Sequence, residues 1–125
     1  MYRSTRSILL LALPLLAMPA LGTPVRHSLS EVEIRQALAG KVVGDGQHWT
    51  YHLKSNGSIE GAEMRRPVQG KWAIHDRRLC LSVPSGAPEN CSEVVREGKG
   101  LLLHANGLDI SDLYVEPYRS KRQWE

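Results

Sequence analysis

Two Asn-Gly pairs, Asn56-Gly57 and Asn106-Gly107, each separate short runs in which apolar and polar residues alternate. Asn-Gly is the strongest short-range hairpin signal, because both residues tolerate the positive φ of a two-residue turn whose twist matches that of its strands. A chain punctuated in this way is held to antiparallel neighbours. In residues 47–55, Trp49, Tyr51 and Leu53 alternate with His48, Thr50, His52 and Lys54, and residues 58–64 read as the returning strand. A two-residue turn at Asn56-Gly57 sets Trp49 opposite Met64 and Tyr51 opposite Ala62, so that apolar residues meet on one face. Arg65-Arg66-Pro67 breaks the pattern. Residues 70–83 form a second hairpin, in which a turn at Asp76-Arg77 pairs Ile74 with Leu79 and Trp72 with Leu81. A Pro- and Gly-containing loop over 84–90 comes next, then a strand over 91–96 and a turn at Gly98-Lys99-Gly100. Strands over 101–105 and 108–115 flank the second Asn-Gly pair, and Glu116-Pro117 ends regular structure.

Upstream of the hairpins, residues 23–27 read as a linker and 28–39 as the one helix. Ser30 and Glu33 fit a capping box, in which each side chain satisfies the other's free backbone N–H. Leu29, Val32, Ile34, Leu38 and Ala39 give the helix a partial apolar face, and Gly40 is placed to end it. One helix and about seven tight-turned strands predict a mainly β domain, an antiparallel meander that closes into a small barrel or a strongly curved sheet.

The first seven residues carry Arg3 and Arg6 and no acid, and an apolar run spans 8–20. The run is shorter than the roughly 20 residues that cross a bilayer, and its basic-then-apolar order is that of a secretory signal. Small residues at Ala20 and Gly22 place cleavage after Gly22, with cleavage after Ala20 as the alternative. An uncleaved anchor is the competing reading. The run has no cysteine, so a lipoprotein anchor is not expected. The expected organisation is a signal peptide over 1–22, a β domain over 23–117 and a flexible, basic, loosely docked tail over 118–125, with no membrane span in the mature chain. The whole chain of 125 residues has 16 Lys+Arg and 13 Asp+Glu. Losing Arg3 and Arg6 leaves the domain nearly neutral, which argues against nucleic acid as a partner.

Cys80 and Cys91 are the chain's two cysteines. In an exported chain a structural disulfide is expected, joining the strands on either side of the 84–90 loop. The spacing is unlike the C-x-x-C of thiol oxidoreductases. By alternation Cys80 lies on the face opposite Leu79 and Leu81, so the bond is expected on the outer surface or at an edge.

Leu38-x-Gly40-Lys41, Asn56-Gly57, Gly70-Lys71-Trp72-x-Ile74, Leu79-Cys80 and Cys91 together resemble the small exported lipocalin-like domains of unknown function of α-proteobacteria. The resemblance covers about residues 30–105. It implies a calycin-like β-barrel in the periplasm and brings no catalytic residues with it. Ligand-carrying lipocalins have their G-x-W on the first strand, whereas Gly70-Lys71-Trp72 lies mid-chain.

No residue pattern points to catalysis, a metal or a cofactor. His48 and His52 have a spacing that suits a zinc site on a helix, but in a strand they stand about 13 Å apart, too far for one ion. Ser85 lacks the flanking glycines of a nucleophile elbow. Glu60 and Glu63 are three apart in a strand and so point to opposite faces. A non-enzymatic binding module is therefore expected, and two versions stay open. In one, Arg65, Arg66, Arg77 and Arg78 form a surface patch for an envelope protein or polymer. In the other, Trp49, Tyr51, Leu53 and Trp72 line a cavity for a small apolar ligand. The same aromatics would otherwise simply fill the core.

Overall fold

The computed structural model describes residues 10–18 and 25–125; residues 10–18 are exposed and have no regular structure. Most of the expected signal peptide, and both of its cleavage sites, lie outside the described residues. Among those residues no helix is long and apolar enough to cross a membrane.

The elements run β1 (Arg26–Ser28), α1 (Glu31–Leu38), β2 (Lys41–Gly44), β3 (Trp49–Leu53), β4 (Ser58–Glu63), β5 (Arg66–His75), β6 (Arg78–Ser82), β7 (Asn90–Glu97), β8 (Gly100–Ala105), β9 (Leu108–Pro117) and a short 3-10 turn at Lys121–Gln123. Each strand from β2 to β9 pairs antiparallel with the next. β2 also pairs with β9, Val43 opposite Val115, which closes an eight-stranded antiparallel barrel. β1 adds to β7 outside that circuit, Arg26 opposite Glu97. The fold is the mainly β barrel with one helix that the sequence predicts, and it is compatible with a calycin-like architecture.

Two strands depart from expectation. Arg26–Ser28 is strand rather than linker, and Lys41–Gly44 closes the barrel. The expected break at Arg65-Arg66-Pro67 is also absent. Met64 and Arg65, both at positive φ (48° and 67°), form a two-residue turn, and β5 runs straight on through Pro67. Proline is tolerated there because Pro67 precedes the part of β5 that pairs with β6, which begins at Lys71. The second hairpin has its expected register, Ile74 with Leu79 and Trp72 with Leu81.

The helix starts on its capping box. The Glu33 backbone N–H donates to Ser30 Oγ at 3.2 Å, and the Ser30 N–H donates to Glu33 Oε1 at 3.0 Å. Ile34 and Leu38 then face inward and, with Leu29, join Leu53, Ile59, Trp72, Ile74 and Leu79 in the main core. The helix thus stoppers one end of the barrel, the end carrying the turns at 54–57, 76–77 and 98–99. The loop over 45–48, the turns at 64–65 and 106–107 and the loop over 83–89 form the other end, which has no such plug.

One register differs from expectation, and it changes which side chains face the barrel interior. The first hairpin pairs Leu53 with Ile59 and Tyr51 with Gly61, one residue away from the two-residue-turn alignment. The Gly57 N–H donates to the Lys54 carbonyl at 3.0 Å, and Gly57 sits alone at positive φ (89°), so the turn has three residues and ends in a glycine bulge. This register buries Leu53 and Ile59 together in the core. A slip of one residue exchanges the faces of a whole strand. Ile59, Gly61 and Glu63 therefore point into the barrel, and Glu60 points out.

Cys80 and Cys91 are directly paired neighbours on β6 and β7 and form the expected disulfide, with Cα atoms 4.0 Å apart. The bond lies on the outer face, as expected, although Cys80 itself is only 1% exposed.

Residues 118–125, expected to be loosely docked, fold back over the outer wall. Tyr118 stacks on His52 with ring centroids 4.1 Å apart and planes within 5°. The Gln123 amide nitrogen donates to Glu116 Oε1 and to the Pro117 carbonyl, each at 3.0 Å. Val42, on the outer face between His52 and Glu116, is buried as a result.

Candidate functional site

At the unplugged end the barrel interior opens into a cleft of about 270 Å³. Its walls come from six strands and the 83–89 loop: Trp49 and Tyr51 on β3, Glu63 on β4, Leu79 and Leu81 on β6, Asn90 and Ser92 on β7, Leu103 on β8 and Ser111 on β9, with Val83 and Pro88 from the loop. The alternation of each strand brings these side chains inward, and closure of the barrel makes them converge.

Trp49 and Tyr51 lie side by side on the inner face of β3, ring centroids 4.7 Å apart and planes tilted by 39°. The Tyr51 hydroxyl donates a hydrogen bond to Glu63 Oε1. Burial, and then that bond and the nearby carboxylate charge, push the Tyr51 phenol well above its usual range. The phenol is thus a fixed donor at neutral pH, and Glu63 beside it is the one acidic or basic residue among the described residues of the lining.

The rim is ordered by Asp45. Its Oδ1 accepts the backbone N–H groups of Gln47, His48 and Trp49 at 2.9, 2.7 and 3.2 Å, and its Oδ2 lies 2.7 Å from His48 Nδ1. Burial alone would raise the Asp45 pKa; the backbone bonds and His48 outweigh it and hold the carboxyl far below its ordinary value. The loop that delivers Trp49 to the cleft is therefore tied to one ionised side chain.

The four residues expected to line a cavity divide into two pairs. Trp49 and Tyr51 line the cleft. Leu53 and Trp72 are buried at the helix-capped end, where Trp72 Nε1 donates to the Lys54 carbonyl at 2.8 Å. The four arginines divide as well. Arg65 and Arg66 stand at the start of β5, at the open end, and Arg77 and Arg78 lie beyond its far end. Ten extended residues separate these ends by roughly 30 Å, so the two pairs do not make one patch. His48 and His52 are apart, one bound to Asp45 and the other stacked under Tyr118. Cys80, Glu89 and Cys91 bring ligand atoms within 4.8 Å of one another, but both sulfurs are tied in the disulfide and offer no thiolate.

Glu63 is the site residue that sequence reasoning misses. A two-residue turn at Asn56-Gly57 puts Ala62 and Met64 inside and Glu63 outside; the bulge reverses this. The available signal is the burial partner of Leu53, since only the shifted register gives it Ile59 rather than Glu60.

A second groove, of about 390 Å³, runs along the outer wall between β4, β5 and the folded-back tail, with Glu60, Ala62, Arg65, Gln69 and Trp124 among its lining. Comparison with known proteins finds no family model, curated protein or solved structure that matches the chain.

Proposed function

We propose that the protein is an exported, lipocalin-like barrel that carries a small molecule in its open end. The observation behind this reading is the cleft itself, where an aromatic pair, a hydrogen-bonded carboxylate and three short polar side chains converge from separate strands inside a rigid closed wall. Binding sites are concave, mostly apolar and furnished with a few placed polar groups, and small barrels that do not fill their interior hold one ligand. At about 270 Å³ the cleft is somewhat smaller than the roughly 300–1,000 Å³ of drug-sized sites, so the cargo is a small metabolite rather than a lipid. The alternative of a partner surface centred on the four arginines has less support, since they stand at opposite ends of the barrel. The disulfide is consistent with export to an oxidising compartment such as the periplasm.

Native mass spectrometry of the protein, recovered under non-denaturing conditions from its own cells, tests the reading. The expected result is a mature mass carrying one extra small molecule that is lost on denaturation. A bare mature mass across gently purified samples would count against a carrier. The denatured mass reports at the same time whether the chain is cut after Gly22 or Ala20.

A further inference from the structure

We infer that the cleft selects a ligand with a cationic head and an apolar body, the head paired with Glu63 and the body lying against Trp49 and Tyr51. The inference rests on the proposal that the cleft is a ligand site at all.

Three observations carry it. First, among the described residues that line the cleft Glu63 is the one acidic side chain, and no Lys, Arg or His shares the lining with it. Second, its carboxylate is only partly satisfied by the protein. Tyr51 donates to Oε1, and among the described residues Glu63 takes part in none of the ion pairs. Arg66, its cross-strand neighbour, is exposed to solvent. Third, the tilted Trp49–Tyr51 pair offers aromatic surface next to the carboxylate.

A carboxylate covered by a guest loses water, and the loss is costly unless a partner of opposite charge replaces it. A neutral guest leaves that cost unmet, and an anion adds repulsion. A cation meets it twice, through a charge-assisted hydrogen bond to Glu63 and through attraction to the aromatic faces. The Tyr51 hydroxyl, held as a donor, fixes which carboxylate oxygen stays free for the guest. Leu81, Val83 and Leu103, with Trp49 and Tyr51, give a short hydrocarbon body apolar surface to lie on, beside the polar Asn90, Ser92 and Ser111.

The test uses three probes of one length, hexylamine, hexanol and hexanoate, titrated at pH 7 into the disulfide-bonded mature protein. Binding is monitored by backbone and indole chemical shifts. Hexylamine is expected to bind with shifts at Trp49, Tyr51 and Glu63, about tenfold or more tighter than hexanol, and hexanoate is expected not to bind. In Glu63→Gln, whose side-chain oxygen can still accept from Tyr51, the preference for the amine should fall to near unity. Equal binding of amine and alcohol to the native protein overturns the charge inference and leaves the ligand cleft standing. A Glu63→Gln protein that keeps the preference overturns the role of Glu63. Cleft resonances unmoved by all three probes overturn the inference together with the reading beneath it. The native-protein comparison decides the question even if the variant fails to fold.

Discussion

At one end of the barrel, Ile34 and Leu38 of α1 meet Leu53, Ile59, Trp72 and Ile74 in a dry core. At the other, Trp49, Tyr51 and Glu63 face a cleft, and the 45–48 loop at its rim is held by hydrogen bonds to Asp45. The same eight strands build both ends, so the backbone ladder does not distinguish them. The difference lies in side-chain volume and in one helix. An eight-stranded barrel is just wide enough for side chains to fill, and here the filling is continuous from the helix up to Tyr51, Leu79 and Leu103, beyond which the cleft opens. The helix therefore closes one end, and the other keeps the open cleft proposed above as the ligand site.

Substitutions at the two ends should break or sharpen this contrast. The largest effect is expected from Trp72→Ala at the capped end, which removes a buried ring and the bond to the Lys54 carbonyl. It should cost about 3–5 kcal/mol. Trp49→Ala at the open end should cost roughly 1–2 kcal/mol, while abolishing ligand-induced shifts. Urea denaturation of both variants checks the pair. A Trp72→Ala protein that stays stable and loses only ligand would undo the division of the barrel into a core end and a binding end.

Replacing both cysteines by serine is the next largest change. Loop-closure entropy for a loop of this size gives about 2–3 kcal/mol. The bond lies beside the 83–89 loop of the open end, so amides of that loop and of β7 should exchange faster before those of α1 and β3. Hydrogen exchange that accelerates first at the helix would show that the disulfide serves the capped end instead.

Asp45 provides a pH test specific to the open end. Its folded pKa lies below its ordinary value of 3.8. The stability it contributes is therefore present above pH 3.8 and lost as pH falls below that value. Asp45→Asn should cost about 1–2 kcal/mol at neutral pH and flatten the acid limb of the stability profile. Glu33, Glu60 and Asp109 are also lowered, so the informative quantity is the difference between native and variant thermal melts. Equal acid slopes in the two proteins would remove Asp45 from the account of the rim.

The smallest effect is a gain. Met64 and Arg65 at the open end, and Asp76 and Arg77 at the capped end, hold positive φ without glycine. Left-handed backbone costs ordinary residues about 1–2 kcal/mol each. Met64→Asn with Arg65→Gly, or Asp76→Asn with Arg77→Gly, should stabilise by about 0.5–1 kcal/mol, a rise of a few degrees in Tm. Similar gains at both ends would show that these turns are strained locally and are not part of the asymmetry.

The hairpins are legible where both the turn residues and the alternation agree. Asn106-Gly107 turns as its residues dictate, and the Asp76-Arg77 turn can be placed from Ile74, Leu79, Trp72 and Leu81 alone. β2 is hard to see in the sequence because Val42 and Val43 are both buried, one under the tail and one in the core, so no polar alternation marks it. β1 is three exposed residues held by a neighbour far along the chain. The turn at Met64-Arg65 carries no turn residue and is imposed by the strands around it. The site is half legible. Trp49 and Tyr51 can be singled out as an inward aromatic pair, but Glu63 can be placed only by knowing whether Asn56-Gly57 makes a turn of two residues or three. One residue of register decides whether that carboxylate faces outward or into the cleft.

The seam between β2 and β9 also orders events in time. Residues 41–44 are synthesised well before their partners over 114–117, with the strands β3 to β8 between them. Contacts so distant along the chain form slowly, because a long loop must close before they are rewarded. A nascent chain in which residues 114–117 are not yet made has two open strand edges, at β2 and at β9. The barrel therefore closes late, and a chain truncated before Tyr114 would expose the kind of unpaired edge from which aggregates grow.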